Sequence, residues 1–356
     1  MPAGSGRVSH AGLRLDDALP AERSERAWIE SARFDLAFFV LSPIAGIAVV
    51  LADPAFGPSV AILAATLIGG PHYLASFTFY FWPDAAESRR RQWIVYFVAP
   101  ALIVAFVAAV SLLRIPAVLV LIIYFWNAYH VAKQSCGLLA VYRHRAGCAG
   151  ERHRNAANAA IISTSLCMAL WNTEWYPALH KLLALPSPAA PALLWQLSAV
   201  AAVACLAALA SSLFSRYREG QGPGAAELAF LATSLTLFHP YLWVRDANLA
   251  TLGMLMGHFI QYLGIVWLVN RRRFARADAQ PRIAAAVWRD WRLVFGIFAL
   301  CGMLFLLLQL NVMAVTVALV LVHFYLDGVF WAFRRPEVRK SLGPYLTGWQ
   351  LGHDKS

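Results

Sequence analysis

Charge is scarce in this chain. Asp, Glu, Lys and Arg together make up 14% of its 356 residues, while 60% are hydrophobic. A soluble domain is about 45–50% apolar and about 25% charged, so a globular core under a solvated surface cannot be the whole molecule. Cysteine is scarce too: the five, at 136, 148, 167, 205 and 301, have no CxxC or paired spacing. That excludes a disulfide framework and leaves small apolar fillers. Residues Met1 to Glu30 lack the basic-then-apolar layout of a secretory leader. No phosphate-cradling glycine loop and no nucleophile elbow is present. Acidic residues are the rarer sign, 19 against 30 Lys and Arg, for a formal net charge of +11. In a soluble chain that excess would point to nucleic acid. Here the arginines sit in short loops between apolar blocks, so the expected partner is the anionic cytoplasmic leaflet and its lipids, not nucleic acid.

What is present is a series of apolar blocks of roughly 20 residues, the length that crosses a hydrocarbon core. The short segments of alternating polarity that make a membrane barrel are absent. The chain is therefore expected to be an all-α polytopic bundle of about ten spans. They fall at 34–53, 59–82, 93–112, 115–141, 157–173, 191–214, 226–244, 247–270, 290–310 and 311–333, with a tight turn near Gln309–Asn311. A flexible tail, 1–33, precedes this transmembrane domain, 34–333, and a basic tail, 334–356, follows it. Basic loops alternate with poor ones. Arg89-Arg90-Arg91 follows the second span, and Arg143, Arg145, Arg152 and Arg154 follow the fourth. Arg216 and Arg218 follow the sixth, Arg271, Arg272, Arg273 and Arg276 the eighth, and Arg334, Arg335, Arg339 and Lys340 the tenth. The intervening loops hold only Arg114, Lys181 and Arg245. The positive-inside rule then places both termini in the cytoplasm of a bacterial-type inner membrane and runs every even span from outside to inside.

Four apolar runs carry a histidine: Gly69-Gly70-Pro71-His72, Asn127-Ala128-Tyr129-His130, Gly257-His258-Phe259-Ile260-Gln261 and Val322-His323-Phe324-Tyr325-Leu326-Asp327. All lie on even spans, so the four helices point one way. Thirteen residues separate His130 and His258 from the first arginine beyond them, and eleven separate His323 from Arg334. Asp84 follows His72 by twelve. At about 1.5 Å per residue the four share a depth to within one turn, roughly 16–20 Å from the basic rim. Ionisable groups at that depth are costly and usually functional, and neutral imidazole is the commonest metal ligand. The plainer alternative for any one of them is an intramembrane histidine bonded to a neighbouring helix.

Polar neighbours at helical spacing fit a supporting layer around a metal. Ser76 follows His72 by four and Gln134 follows His130 by four. Asn127 precedes His130 by three, Gln261 follows His258 by three, and Asp327 follows His323 by four. A ligating imidazole normally donates its other N–H to such a group. Asp327 would orient a ligand or be one, and Lys133 or Tyr325 could handle protons or developing negative charge. An ion pair between Lys133 and Asp327 that merely locks two spans together is the structural alternative. His10, His144, His153, His180, His239 and His353 fall in tails, loops or span ends and are given no role.

Non-haem iron(II) fits this donor set best. Haem b is the rival, though four histidines at one depth suit a single compact site better than two stacked haems, and a proton-coupled transporter is the non-enzymatic alternative. The HxxxH and HxxHH boxes of membrane desaturases are absent. The Gly69-Gly70-Pro71-His72 segment resembles the glycine–proline–histidine segment of the bacterial Brp/Blh-like carotene dioxygenases. These are polytopic proteins thought to hold one iron through single histidines on separate spans. Their second nearby histidine is missing here, where Ser76 stands. The resemblance implies an oxygenase acting on a lipid-soluble substrate, such as a carotenoid, isoprenoid or fatty-acyl lipid. Oligomeric state is not legible in the chain.

Overall fold

The computed structural model describes residues 27–80, 89–147, 150–174, 176–177, 190–275, 282–311, 313–333 and 335–346. Most of the expected N-terminal tail and the chain beyond 346 lie outside the described residues. So do Asp84, Arg276, Arg334, Lys181, His10, His180 and His353. Every regular element among the described residues is a helix. In order they are α1 Ala32–Val40, α2 Pro43–Phe56, α3 Pro58–Phe79, α4 Ile94–Leu112, α5 Pro116–Arg145, α6 Glu151–Trp171, α7 Ala190–Arg218, α8 Ala225–Thr236, α9 Pro240–Trp243, α10 Ala247–Phe274, α11 Arg282–Arg289, α12 Trp291–Asn311, α13 Met313–Phe330 and α14 Pro336–Leu346. Proline opens α2, α3, α5 and α9, where its missing N–H costs nothing. The Asp246 side chain caps α10 by accepting from Leu249 N–H at 2.8 Å.

Seven of these helices are long and apolar enough to cross a membrane. They are α3, α4, α5, α7, α10, α12 and α13. An eighth is added if α1 and α2, bent by 43° to each other, count as one. The three other expected spans are not straight apolar helices. The first is that bent pair. The fifth begins with Glu151-Arg152-His153-Arg154 and falls short on hydropathy. The seventh divides into α8 and α9.

The bundle is built around α10. Inside the protein lies 78% of its apolar stretch, against 17% for each of α4, α7 and α12, whose other faces remain for lipid. Small residues let α10 sit that deep. A Cβ added at Gly46 on α2 would lie 1.8 Å from the Gly253 carbonyl oxygen of α10, and one at Gly257 or Gly264 would lie 3.2 Å from Pro43 Cα or 3.0 Å from Phe38 Cβ. α3 crosses α12 in the same way: a Cβ at Gly302 would stand 1.9 Å from the Thr66 carbonyl oxygen. In the π-helical turn Ala65–Gly69 just before His72, Gly70 N–H bonds the Ala65 carbonyl. The next amide, at Pro71, has no hydrogen to give.

Charge is concentrated at one end. Glu30 bonds both Arg271 and Arg272, and Arg272 also donates to the carbonyls of Ile29 at 2.7 Å and Tyr345 at 2.6 Å. These contacts tie the segment before α1 and the end of α14 to the end of α10. The basic C-terminal tail thus begins as a docked helix, with Val338, Leu342 and Leu346 buried. Beside it Glu227 is enclosed with Arg143 and Arg216, all three buried.

Candidate metal centre

α3, α5, α10 and α13 bring His72, His130, His258 and His323 together. The ring centroids form a closed circuit: 4.6 Å from His323 to His72, 4.7 Å to His258, 5.1 Å to His130 and 5.3 Å back to His323. All four side chains are buried. Metal–imidazole bonds of about 2.0–2.1 Å put the ion about 3.2 Å from each ring centroid. Four bound rings then have neighbouring centroids about 4.5 Å apart in a square and about 5.2 Å apart in a tetrahedron. The observed circuit spans that interval. One nitrogen each from His72, His130 and His323 lies within 4.8 Å of the others. His258 completes the ring circuit but is not a member of this tighter set.

Both nitrogens of His72 and of His258, Nε2 of His130 and Nε2 of His323 are buried without a hydrogen-bond partner, and so is Oδ2 of Asp327. That oxygen faces Nε2 of His130 at 3.8 Å and Nε2 of His323 at 3.7 Å. The other half of the carboxylate is held firmly. Ser76 Oγ donates to Asp327 Oδ1 at 2.7 Å, and Tyr262 donates to the same oxygen at 2.6 Å. Ser76 spends its one proton there, so His323 Nδ1, 2.8 Å away, must be the donor to Ser76 Oγ. That fixes the tautomer: Nε2 of His323 carries the lone pair and points at Asp327 Oδ2 and the histidines.

The other expected residues are placed as follows. Ser76 lies one turn beyond His72 but serves His323, on another helix. Gln261 donates to the Phe39 carbonyl at 2.9 Å, which ties α10 to α1. Tyr325 donates to the Val95 carbonyl at 3.0 Å on α4. Asn127 Oδ1 and Gln134 Oε1 are buried and unpartnered. Lys133 forms no ion pair with Asp327, whose partners are hydroxyls, so the two do not lock α5 to α13. Of the glycines near the histidines in sequence, Gly69, Gly70 and Gly257 face packed atoms, whereas a Cβ at Gly328 would meet nothing within 4 Å. Tyr262 is the site residue that sequence spacing passed over. It follows His258 by four, the rule that picked out Ser76 and Asp327, but Gln261 beside it drew the assignment.

The chain matches no family model, no curated protein and no solved structure.

A cavity of about 600 Å³ opens from the cluster between α5 and α13. His130, Asp327 and Tyr262 reach its wall, along with Lys133, Gln134 and Arg335. The volume is that of a small-molecule site. On the other side of His72 the packing is dense: Tyr73 and Phe259 stand against the ring at 5.2 and 4.6 Å. Of the four histidines, His130 reaches the cavity wall, while the His72 ring is covered on this other side.

Proposed function

We propose that the chain is an integral-membrane metalloenzyme. His72, His130, His258 and His323 hold a non-haem iron(II), Asp327 orients or joins them, and the protein oxidises a lipid-soluble substrate of the carotenoid, isoprenoid or fatty-acyl kind. The orphaned imidazole nitrogens carry this reading. Each buried polar atom left unsatisfied costs about 1–3 kcal/mol, and lipid surroundings offer no water to relieve it. One cation at the centre of the circuit would satisfy four lone pairs and the Asp327 oxygen together. The donor set, imidazole and carboxylate without thiolate, suits iron. The neighbouring rings pack edge-to-face, 62° to 84° between planes, which favours one compact ion over a porphyrin.

Bound iron would supply dioxygen activation. The chain's own part is positional. Ser76 and Tyr262 hold Asp327, Ser76 sets the His323 tautomer, Tyr73 and Phe259 keep the closed side dry, and the cavity admits substrate from the other. Lys133, on the cavity wall, is the group placed to meet developing negative charge. The resemblance of the Gly69–His72 segment to carotene dioxygenases favours an oxygenase over other iron chemistry.

Purified protein from iron-replete cells should carry about one iron per chain with no Soret band. His72→Ala and His323→Ala should lose it. Metal-free wild type, or full iron retention in both variants, would overturn the assignment, and a Soret band would transfer it to haem. The reading includes ten passes with both termini cytoplasmic, supported by the alternation of basic loops. Reporter fusions after Arg91, Arg154, Arg218 and Arg273 should all give the cytoplasmic signal, and one after Arg114 the opposite. Any reversal would break that topology.

A further inference from the structure

The cavity is chemically lopsided. Trp126 packs on Phe324 at 6.2 Å and His130 faces Asp327, so α5 and α13 run the same way. Lys133 comes three residues after His130, and Arg335 eight after Asp327, both toward the same end of the cavity wall. Trp126, Tyr129 and Phe324 line the wall at the level of the histidines and beyond, toward the opposite end. Among the described residues Asp327 is the lone carboxylate in the lining, and its oxygens are turned to Ser76, Tyr262 and the imidazoles. Among the described residues no carboxylate pairs with Lys133 or Arg335. A cation facing a cavity between membrane helices, with no carboxylate paired to it among the described residues, favours an anionic ligand.

We infer that this cavity binds an amphiphile with a single anionic head group, a carboxylate or a phosphate monoester. The head sits between Lys133 and Arg335 and the apolar chain runs past the histidines toward Trp126 and Phe324. The binding stands on the cavity alone. It rests on the proposed metal centre only in saying that chain carbons close to the head group, not the chain terminus, pass the imidazoles. Lys133 lies about 4.5 Å along the helix from His130, so that separation amounts to a few carbon–carbon bonds. Gly328 makes the passage, since any side chain there would project into open space on the cavity wall.

The test uses the full chain in nanodiscs of zwitterionic lipid. The probe is cis-parinaric acid, read by energy transfer from tryptophan, compared with the corresponding alcohol. The acid should bind saturably and about tenfold or more tighter than the alcohol. Lys133→Gln and Arg335→Gln should each weaken the acid about tenfold and leave the alcohol within about twofold. Gly328→Leu should weaken both. Equal affinity of acid and alcohol, or Lys133→Gln and Arg335→Gln variants that weaken both alike, would overturn the inference. Displacement by oleic acid supports a carboxylate head and displacement by oleyl phosphate supports a phosphate; displacement by neither overturns it. Iron is measured on the same samples. Metal-free protein that still prefers the acid would sink the metal centre and keep this site, and iron-loaded protein without the preference would do the reverse.

Discussion

Ser76 joins three groups through one oxygen: it donates to Asp327, accepts from His323 and lies 2.6 Å from the Tyr262 hydroxyl. Residues that orient a metal ligand through its second nitrogen are worth about 10–100-fold in metal affinity. Ser76→Ala should therefore weaken iron binding by about that factor, and Tyr262→Phe, which keeps the ring and removes one donor to Asp327, should also weaken it but less. Chelator competition on the purified variants measures both, and affinities equal to wild type would remove these hydroxyls from the site. Spacing along a helix made Ser76 visible as a polar group on the face of His72. It could not show that the hydroxyl turns to a histidine on α13. A helix pattern gives the face a side chain occupies, and the partner depends on which helix stands opposite.

At the level of elements, the site depends on how closely helices approach. α10 is seated against α2 at Gly46 and Gly253, and α3 against α12 at Gly302. Those two crossings set the positions of His258 and His72. Gly46→Ala and Gly302→Ala would each drive a methyl into a backbone carbonyl, an overpacking cost of about 1–3 kcal/mol. Gly137→Ala, where a Cβ meets nothing within 4 Å, serves as control and should be neutral or slightly stabilising, since alanine suits a helix interior better than glycine. Unfolding in mild detergent should rank the three in that order, and a Gly46 variant as stable as the control would contradict the crossing. Glycines are visible in a sequence, but not what each one meets: Gly69, Gly70 and Gly257 close contacts, and Gly328 opens onto a cavity. The pairing of Gly46 with Gly253 requires knowing that α2 lies on α10.

The whole molecule is tied at its charged end by Glu30, which joins the segment before α1 to Arg271 and Arg272 at the end of α10. Partial burial pushes the Glu30 carboxyl up, but the hydrogen bonds and charges of Arg272 and Arg271 outweigh it, so its pKa in the folded protein lies below the ordinary 4.5. A depressed carboxylate stabilises the fold above its ordinary pKa and loses that contribution as pH falls through the folded value. The latch should hold at neutral pH and release under acid, below pH 4.5. Hydrogen exchange across residues 29–35, corrected for its intrinsic pH dependence, should rise there in wild type. In Glu30→Gln it should already be raised at neutral pH and should not rise further from this group. An unchanged Gln variant would show that the pair holds nothing.

The amino-acid sequence by itself determined the solvent and the class. Apolar blocks of bilayer length, few charges and no water for the backbone leave helices crossing lipid as the stable form of this chain. It also marked the four histidines, because their distance to the basic rim is a count along each helix and needs no neighbour. Three of the expected ten spans became a bent, a polar and a divided helix, since the composition of a window does not record where a helix bends or what covers its polar face. Tertiary structure alone decided which nitrogens are left facing one another, that Gln261 and Tyr325 spend their bonds on backbone carbonyls, that Tyr262 holds Asp327, and where a cavity opens. Each of these depends on the rotation of one helix against another, which short-range spacing leaves free and close packing sets.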